Sequence, residues 1–107
     1  MTDREDRIAA VFQALSDPTR RAVVRALSEH GDVTATELAG EFLVTRQAVS
    51  KHLAALADAG LVESERTGRE VRYRLTPRPM AEAMDWMAGV GADWDERLAR
   101  LRRHLRR

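Results

Sequence analysis

The spacing of apolar residues along the chain changes twice, and this change constrains the fold more than any other feature. Up to Gly60 the apolar residues recur at helical intervals. Between Leu61 and Leu75 apolar residues begin to alternate with polar ones, and after Thr76 the helical interval returns. A period of 3.6 residues is typical of an amphipathic helix, and a period of two is typical of a half-buried strand. The sequence therefore predicts a mainly α-helical fold with one small β-hairpin.

Helix-capping signals divide the first 60 residues into four short helices. The signals are Thr2 with Glu5, Asp17 with Pro18, Thr34 with Glu37, and Thr45. In each, a side-chain oxygen can accept a hydrogen bond from a free N–H of the first helical turn. The second helix should end before Gly31, the third should span 37–42, and the fourth should end at Gly60. The third and fourth helices, separated by two or three residues, form a helix-turn-helix over 34–60.

A basic hairpin follows the helix-turn-helix. Its second strand alternates from Val71 to Leu75, with apolar residues on one face and arginines on the other. The preceding segment 62–66 can pair with this strand if residues 67–69 form the loop. A hairpin in this position is a wing, so we predict a winged helix-turn-helix whose wing occupies 61–76.

A long last helix is predicted from Pro77 onward. Its apolar seam is spaced by alternating intervals of four and three residues and consists of Met80, Met84, Met87, Gly91, Trp94, Leu98, Leu101 and Leu105. A heptad-like seam of this kind packs against another helix. Gly89 and Gly91 either permit close approach of that partner, the interpretation preferred here, or kink the helix. The Met- and Trp-rich seam leaves two functions open, a dimer core and an effector site.

Length and composition narrow the functional classes. At 107 residues the chain has the size of one domain, assigned to 1–107, and it contains no cysteine for disulfides or thiolate chemistry. No apolar run could span a membrane and the N-terminal residues are charged, which predicts a cytoplasmic protein without signal peptide or membrane anchor. The net charge is only +1, yet segment 66–78 holds five arginines and segment 97–107 holds six. Such local patches attract phosphate or are simply solvated surface.

The outward face of the fourth helix is the candidate DNA-reading surface. Residues on an α-helix are about 100° apart, so an inward stripe through Leu53 leaves a polar face outside. Glutamine can bond adenine bidentately, so we expect Gln47 to read bases, followed by Arg46 and Ser50, with Lys51 on phosphate. The complete expected DNA-binding set is Thr45, Arg46, Gln47, Ser50, Lys51, His52, Arg66, Arg69, Arg72 and Thr36.

Some members of this set have alternative roles. His52 lies at the edge of the inward stripe, where it could pack, contact phosphate or bind a metal. Arg66 and Arg72 could enter a narrow minor groove, contact flanking phosphates, or pair with acids of the hairpin. Thr34 could hold a phosphate or act only as a helix cap.

Three segments resemble the ArsR/SmtB family of bacterial winged-helix repressors. They are Ala-Leu-Ser-Asp-Pro-Thr-Arg at 14–20, Val-Ser-Lys-His-Leu-Ala-Ala-Leu at 49–56 followed by Ala-Gly-Leu-Val at 59–62, and Gly-Arg at 68–69 with Tyr-Arg-Leu at 73–75. The resemblance implies a homodimer that binds a pseudo-palindromic double-stranded DNA operator and represses its own operon. It also implies that 1–16 and 77–107 form the dimer interface, with contacts from Ile8, Phe12, Met84, Met87, Gly91, Trp94, Leu98 and Leu101.

The sequence departs from the metal-sensing members of that family. Those members carry cysteines in the third helix, whereas 37–42 contains none. Asp93 and Asp95 of the last helix have no histidine at the spacing of the family's other metal site. The chain therefore resembles the metal-independent branch, and we expect no metal or cofactor and leave the effector open.

Two other functions compete with transcription regulation. An enzyme would need a nucleophile with a base, paired carboxylates or a phosphate-binding loop, and none occurs at a recognisable spacing. A winged-helix dimer that docks proteins without reading DNA is the second alternative. The polar face of the fourth helix and the basic wing tip argue against it.

Overall fold

Five helices account for most of the chain, and their positions follow the apolar spacing of the sequence. The computed structural model describes residues 3–106. Its helices are α1 (Asp3–Ala14), α2 (Pro18–His30), α3 (Ala35–Phe42), α4 (Arg46–Asp58) and α5 (Pro77–Leu105). The predicted mainly helical winged helix-turn-helix is confirmed. The prediction for the third helix was wrong at its start, because Thr34 is the N-cap and the helix begins at Ala35 rather than at 37.

Three of the predicted N-caps are formed by side chains. Asp17 accepts from the N–H of Arg20, Thr34 from that of Glu37, and Thr45 from that of Ala48. Thr76 occupies the cap position of α5 but makes no side-chain cap bond. The predicted cap Thr2 lies outside the described residues. These bonds fix the starts of α2, α3 and α4, the helices that build the body of the domain.

A three-stranded antiparallel sheet completes the domain. Its strands are β1 (Val33–Thr34), β2 (Val62–Thr67) and β3 (Glu70–Leu75), in the order β1-β3-β2. The hairpin β2–β3 was predicted, but the loop prediction was one residue too long: Thr67 pairs with Glu70, so only Gly68 and Arg69 form the turn. Gly68 has a φ of 63°, which two-residue hairpin turns require at their first position. β1 was not predicted, because two residues are too few to show an alternation of apolar and polar side chains.

The core lies between α1, α2, α3, α4 and the end of the sheet nearest these helices, and Ala83 near the start of α5 also belongs to it. Its largest fully buried side chains are Leu27, Leu38, Leu53, Leu56, Leu61, Val11, Val23 and Val49. The predicted inward stripe of α4 is therefore confirmed, since Val49, Leu53 and Leu56 all belong to this set. Tyr73 and Leu75 of β3 pack against the same core. This burial fixes α4 against the other helices and determines which of its faces reaches solvent.

The last helix projects from the domain. It is 29 residues long and unbroken through both glycines, and the radius of gyration is 18.4 Å, compared with about 13 Å for a compact domain of this size. Its first turns pack on α1, where Arg7 pairs with Glu82 at 3.1 Å and the ring of Phe12 meets that of Trp86 edge to face at 5.8 Å. Beyond Ala83, the apolar side chains of α5 are largely exposed.

We predict that Leu43→Asn stabilises the domain. Leu43 ends α3 in the left-handed conformation, with a φ of 54°, and its side chain is 93% exposed. Leucine is strained in this region whereas asparagine tolerates it, so the free energy of unfolding should rise by about 1 kcal/mol. Thermal or urea denaturation measures the change. Val44→Asn, at the next position and without a positive φ, is the control and should bring no gain; an equal gain there would contradict the role of backbone strain.

Candidate nucleic-acid interface

The N-terminal end of α4 presents a polar surface that no other part of residues 3–106 covers. Arg46, Gln47 and Lys51 are exposed, Ser50 is half-buried, and together with Thr45 and Ala48 they line a shallow concavity. Within residues 3–106 the side chains of Arg46, Gln47 and Lys51 make no hydrogen bond or ion pair. Cationic and amide donors that are left free in this way are available to an external acceptor.

His52 is turned from this surface towards the body of the domain. Its side chain is 25% exposed, and Nδ1 lies 4.0 Å from Oδ2 of Asp17, the cap of α2. The N–H of Arg20 donates to Asp17 at 2.9 Å and lowers the pKa of that carboxyl, an effect to which the charges of Arg20 and His52 add. Of the roles left open for His52, this position fits packing between α4 and α2; a phosphate contact stays a prediction.

The arginines of the wing fall into two groups. On the outer face of β3, Arg72 and Arg74 are each held by at least two carboxylates. Their partners are Asp32, Glu37 and Glu70 for Arg72, and Glu63 and Glu65 for Arg74. These carboxylates raise the pKa of each arginine above its ordinary value, mainly through the hydrogen bond to Glu70 for Arg72 and to Glu63 for Arg74. Arg66 and Arg69 are exposed, and neither side chain has a partner within residues 3–106.

Arg72 thus forms the ion pairs that were one of its predicted alternatives, while Arg66 forms none in the described part of the chain. The two body-side acids that hold Arg72 were not identified from the sequence, since Asp32 and Glu37 lie 40 and 35 residues away and no local pattern links them to β3. Whether Arg66, Arg69 and Arg72 contact DNA stays a prediction.

The remaining candidates at the helix starts have different surroundings. Thr36 is exposed at the first turn of α3, while Thr34 is engaged as the cap of that helix. Arg20 donates from Nε to the carbonyl oxygen of Ala14 at 2.6 Å, which joins the end of α1 to α2. Because the hydroxyl of Thr34 is used by the cap, Thr36 is the more accessible of the two threonines for a phosphate.

The residues predicted for the dimer interface differ in exposure. Ile8 is already buried within the single chain, and Leu98 is half-buried. The other apolar members are exposed by between two-fifths and three-fifths of their surface: Phe12, Met84, Met87, Trp94 and Leu101. Gly91 is exposed, and a Cβ placed on it would meet nothing within 4 Å. A row of large exposed side chains on one helix is typical of a surface that a partner covers.

Comparison with known proteins agrees with this geometry. Residues 15–65 match a family described as a helix-turn-helix domain. The chain is 35% identical over 77 residues to the transcriptional repressor SdpR of Bacillus subtilis, covering 72% of this chain and 84% of that protein. It is 40% identical over 87 residues to the regulator CmtR of Mycobacterium tuberculosis, covering 81% and 73%. The structure of an ArsR-like transcriptional regulator from Rhodococcus sp. RHA1 superposes with a TM-score of 0.81 at 40% identity, covering 95% of each chain.

The chain belongs to the ArsR family of transcriptional regulators. In this ArsR-family protein α3 and α4 form the helix-turn-helix, and β2 with β3 forms the hairpin that follows it. Within residues 3–106 no group of three His, Asp or Glu side chains is arranged to hold a metal ion. No helix in the same part of the chain is long and apolar enough to cross a membrane.

We predict that the contribution of Asp17 to the stability of this ArsR-family domain depends on pH. Asp17→Ala should lower the free energy of unfolding at neutral pH, because the cap of α2 is lost. The folded-state pKa of Asp17 lies below its ordinary value of 3.8, so the ionised cap stabilises the fold above that pH. The contribution of the charge is lost as the pH falls through the folded-state pKa, so the gap between the two proteins should narrow to that of an uncharged cap.

Urea denaturation between neutral pH and pH 3 measures this difference. Asp17→Asn is the matched control, since its amide oxygen can cap without titrating. At neutral pH its stability should lie between those of Asp17→Ala and the wild type, because it keeps the cap hydrogen bond but lacks the charge. A gap between Asp17→Ala and the wild type that is the same at every pH would contradict the role of the carboxylate charge.

Proposed function

We propose that the protein is a dimeric repressor that binds a pseudo-palindromic DNA operator, with α4 in the major groove and the wing tip on the adjacent backbone or minor groove. The observation that carries this proposal is the free polar surface at the N-terminal end of α4. A recognition helix contacts bases mainly with its N-terminal residues. Here those residues include Arg46 and Gln47, whose side chains have no partner within residues 3–106.

The side chains on this surface differ in what they can distinguish. Gln47 offers an amide donor and acceptor that match adenine in the major groove, and Arg46 offers a fork that matches guanine. Lys51 lies about one turn further along α4 and offers a point charge suited to phosphate. We assign base reading to Gln47 and Arg46, a secondary base contact to Ser50, and backbone contact to Lys51.

The wing supports binding through its tip. Arg69 stands in the two-residue turn and Arg66 close to it, and neither charge is neutralised by a neighbour in the described chain. Free guanidinium groups at the end of a hairpin can follow a narrow minor groove or hold phosphates beside it. The sign of regulation is proposed from the relative SdpR, whose name describes it as a transcriptional repressor.

The partner of the exposed α5 seam is proposed to be a second copy of the chain. A two-fold dimer would present two α4 helices to half-sites about one DNA turn, or a multiple of it, apart. Trp94 is 59% and Leu101 52% exposed, so the seam has apolar surface to bury. Burial of this surface between two copies would hold the reading helices at a fixed spacing.

We predict that Gln47→Ala and Lys51→Ala weaken DNA binding in different ways. Gln47→Ala should cost about 1 to 3 kcal/mol on an operator selected from a random library, but little on random duplex, because only base edges differ between the two. Lys51→Ala should weaken binding to both duplexes and lower the salt slope by about one unit, because phosphates are alike everywhere.

Fluorescence anisotropy at several salt concentrations measures both effects. Ser28→Ala, on the exposed face of α2 and outside the proposed DNA and dimer surfaces, is the control and should change neither affinity. Equal weakening of the operator and the random duplex by Gln47→Ala would contradict base reading by this helix. Absence of DNA binding by the wild type, tested over the same range of salt, would contradict the proposed function itself.

We predict that the double substitution Leu98→Glu and Leu101→Glu produces a folded monomer. Both residues lie on the projecting part of α5, so the charges should disrupt a seam between copies without entering the core of one chain. Sedimentation velocity measures the association and circular dichroism measures the helix content. Arg103→Glu, on the opposite side of α5, is the control and should remain dimeric. An unaltered dimer in the double variant would place the interface elsewhere.

A further inference from the structure

Arg72 connects the wing to the body of the domain through its side chain. Its Nε donates to Oδ1 of Asp32 at 2.9 Å, and one Nη donates to the backbone oxygen of Asp32 at 3.0 Å. The other Nη lies 3.0 Å from a carboxylate oxygen of Glu70 and 3.5 Å from one of Glu37. Asp32 precedes β1 and Glu37 is in the first turn of α3, so one guanidinium joins the hairpin to the segment that enters the helix-turn-helix.

Arg72 is also the last residue of β3 that pairs with the body before the wing tip. β1 pairs with β3 at two positions only, Val33 with Tyr73 and Thr34 with Arg72. Beyond this point the hairpin from 66 to 70 is exposed. Two residue pairs resist bending of the hairpin only weakly, whereas a planar guanidinium bonded to both sides of the junction restrains its direction.

The same geometry makes Arg72 a poor phosphate ligand. Four of the five N–H donors of its guanidinium are used by the contacts described above. Three carboxylates, those of Asp32, Glu37 and Glu70, surround the single positive charge. This patch therefore carries an excess of negative charge, which repels a DNA backbone.

We propose that Arg72 is a positioning residue that sets the direction of the wing relative to α4, so that Arg69 at the tip reaches DNA. This inference rests on the proposed function, because it presumes that the wing tip contacts the DNA backbone. Arg72 acts through Arg69 and makes no DNA contact of its own.

A double-mutant cycle on a random-sequence duplex tests the proposal. Arg72→Gln and Arg69→Ala should weaken binding by the same factor, about fivefold or more, and each should lower the salt slope by about one unit. In the Arg69→Ala background, Arg72→Gln should have no further effect on affinity or slope. A further loss in that background, equal to the loss in the wild type, would overturn the proposal in favour of a direct contact or a loss of folded protein.

Arg74→Gln is the matched control. Arg74 lies two residues further along β3 on the same face, but its ion pairs with Glu63 and Glu65 stay within the hairpin. It should leave affinity for the duplex unchanged. A loss equal to that of Arg72→Gln would show that any outer-face charge of the hairpin matters, and would overturn the specific role of the link to the body.

Removal of Asp32 and Glu37, the body-side partners of Arg72, distinguishes the two roles because each role predicts an opposite change in affinity for the duplex. The variant Asp32→Ala with Glu37→Ala removes two of the three carboxylates around Arg72, both on the body side, and leaves Glu70 of the wing and the backbone oxygen at 32 as its partners. If Arg72 contacted phosphate, binding to the duplex would strengthen; if it positions the wing, binding weakens. Thermal denaturation of each variant establishes that the protein is folded. If Arg69→Ala did not weaken binding, the wing contact of the proposed function would be contradicted. This result differs from those that contradict the role of Arg72, so the two claims can fail separately.

Discussion

The structure depends on the burial of one face of α4. Val49, Leu53 and Leu56 are inaccessible to solvent, and together with Leu38 of α3 they anchor the helix in the core. Because side chains on a helix have fixed angular positions, burial of this stripe forces Gln47 and its neighbours outward. The reading surface therefore needs no stabilising contacts of its own, and its side chains can remain unpaired until an external partner engages them.

Electrostatics in the wing follow from the pairing of its strands. Adjacent residues on a strand point to opposite faces, so Arg72 and Arg74 lie on the same outer face as the acids of β2. Asp32, which precedes β1, and Glu37, in the first turn of α3, reach the same face. Those acids neutralise both arginines. Arg66 and Arg69 have no such neighbours within residues 3–106. Chemically identical side chains thus acquire different electrostatic surroundings, and the small net charge of the chain conceals a locally basic tip.

Features set by local chemistry could be predicted from the sequence. Thr45 caps α4 as expected, and the alternation from Val71 to Leu75 located β3. Features that depend on contacts between distant residues could not. The strand β1 exists only because Val33 and Thr34 pair with β3, and the role of Arg72 depends on acids 35 and 40 residues earlier. The exposure of the polar face at the start of α4 followed from helical geometry, whereas the separation of paired from free arginines required the folded chain.

The chain contains a single lysine, and the fold places it on the exposed surface of α4. Its amine can be acylated, which removes the positive charge, whereas the guanidinium groups of the 17 arginines resist the same reagents. Among side-chain amines, an acylating agent therefore has only Lys51 to modify. The rate of that modification becomes a footprint of the recognition helix, since any molecule that covers this helix shields the only reactive side-chain amine in the protein.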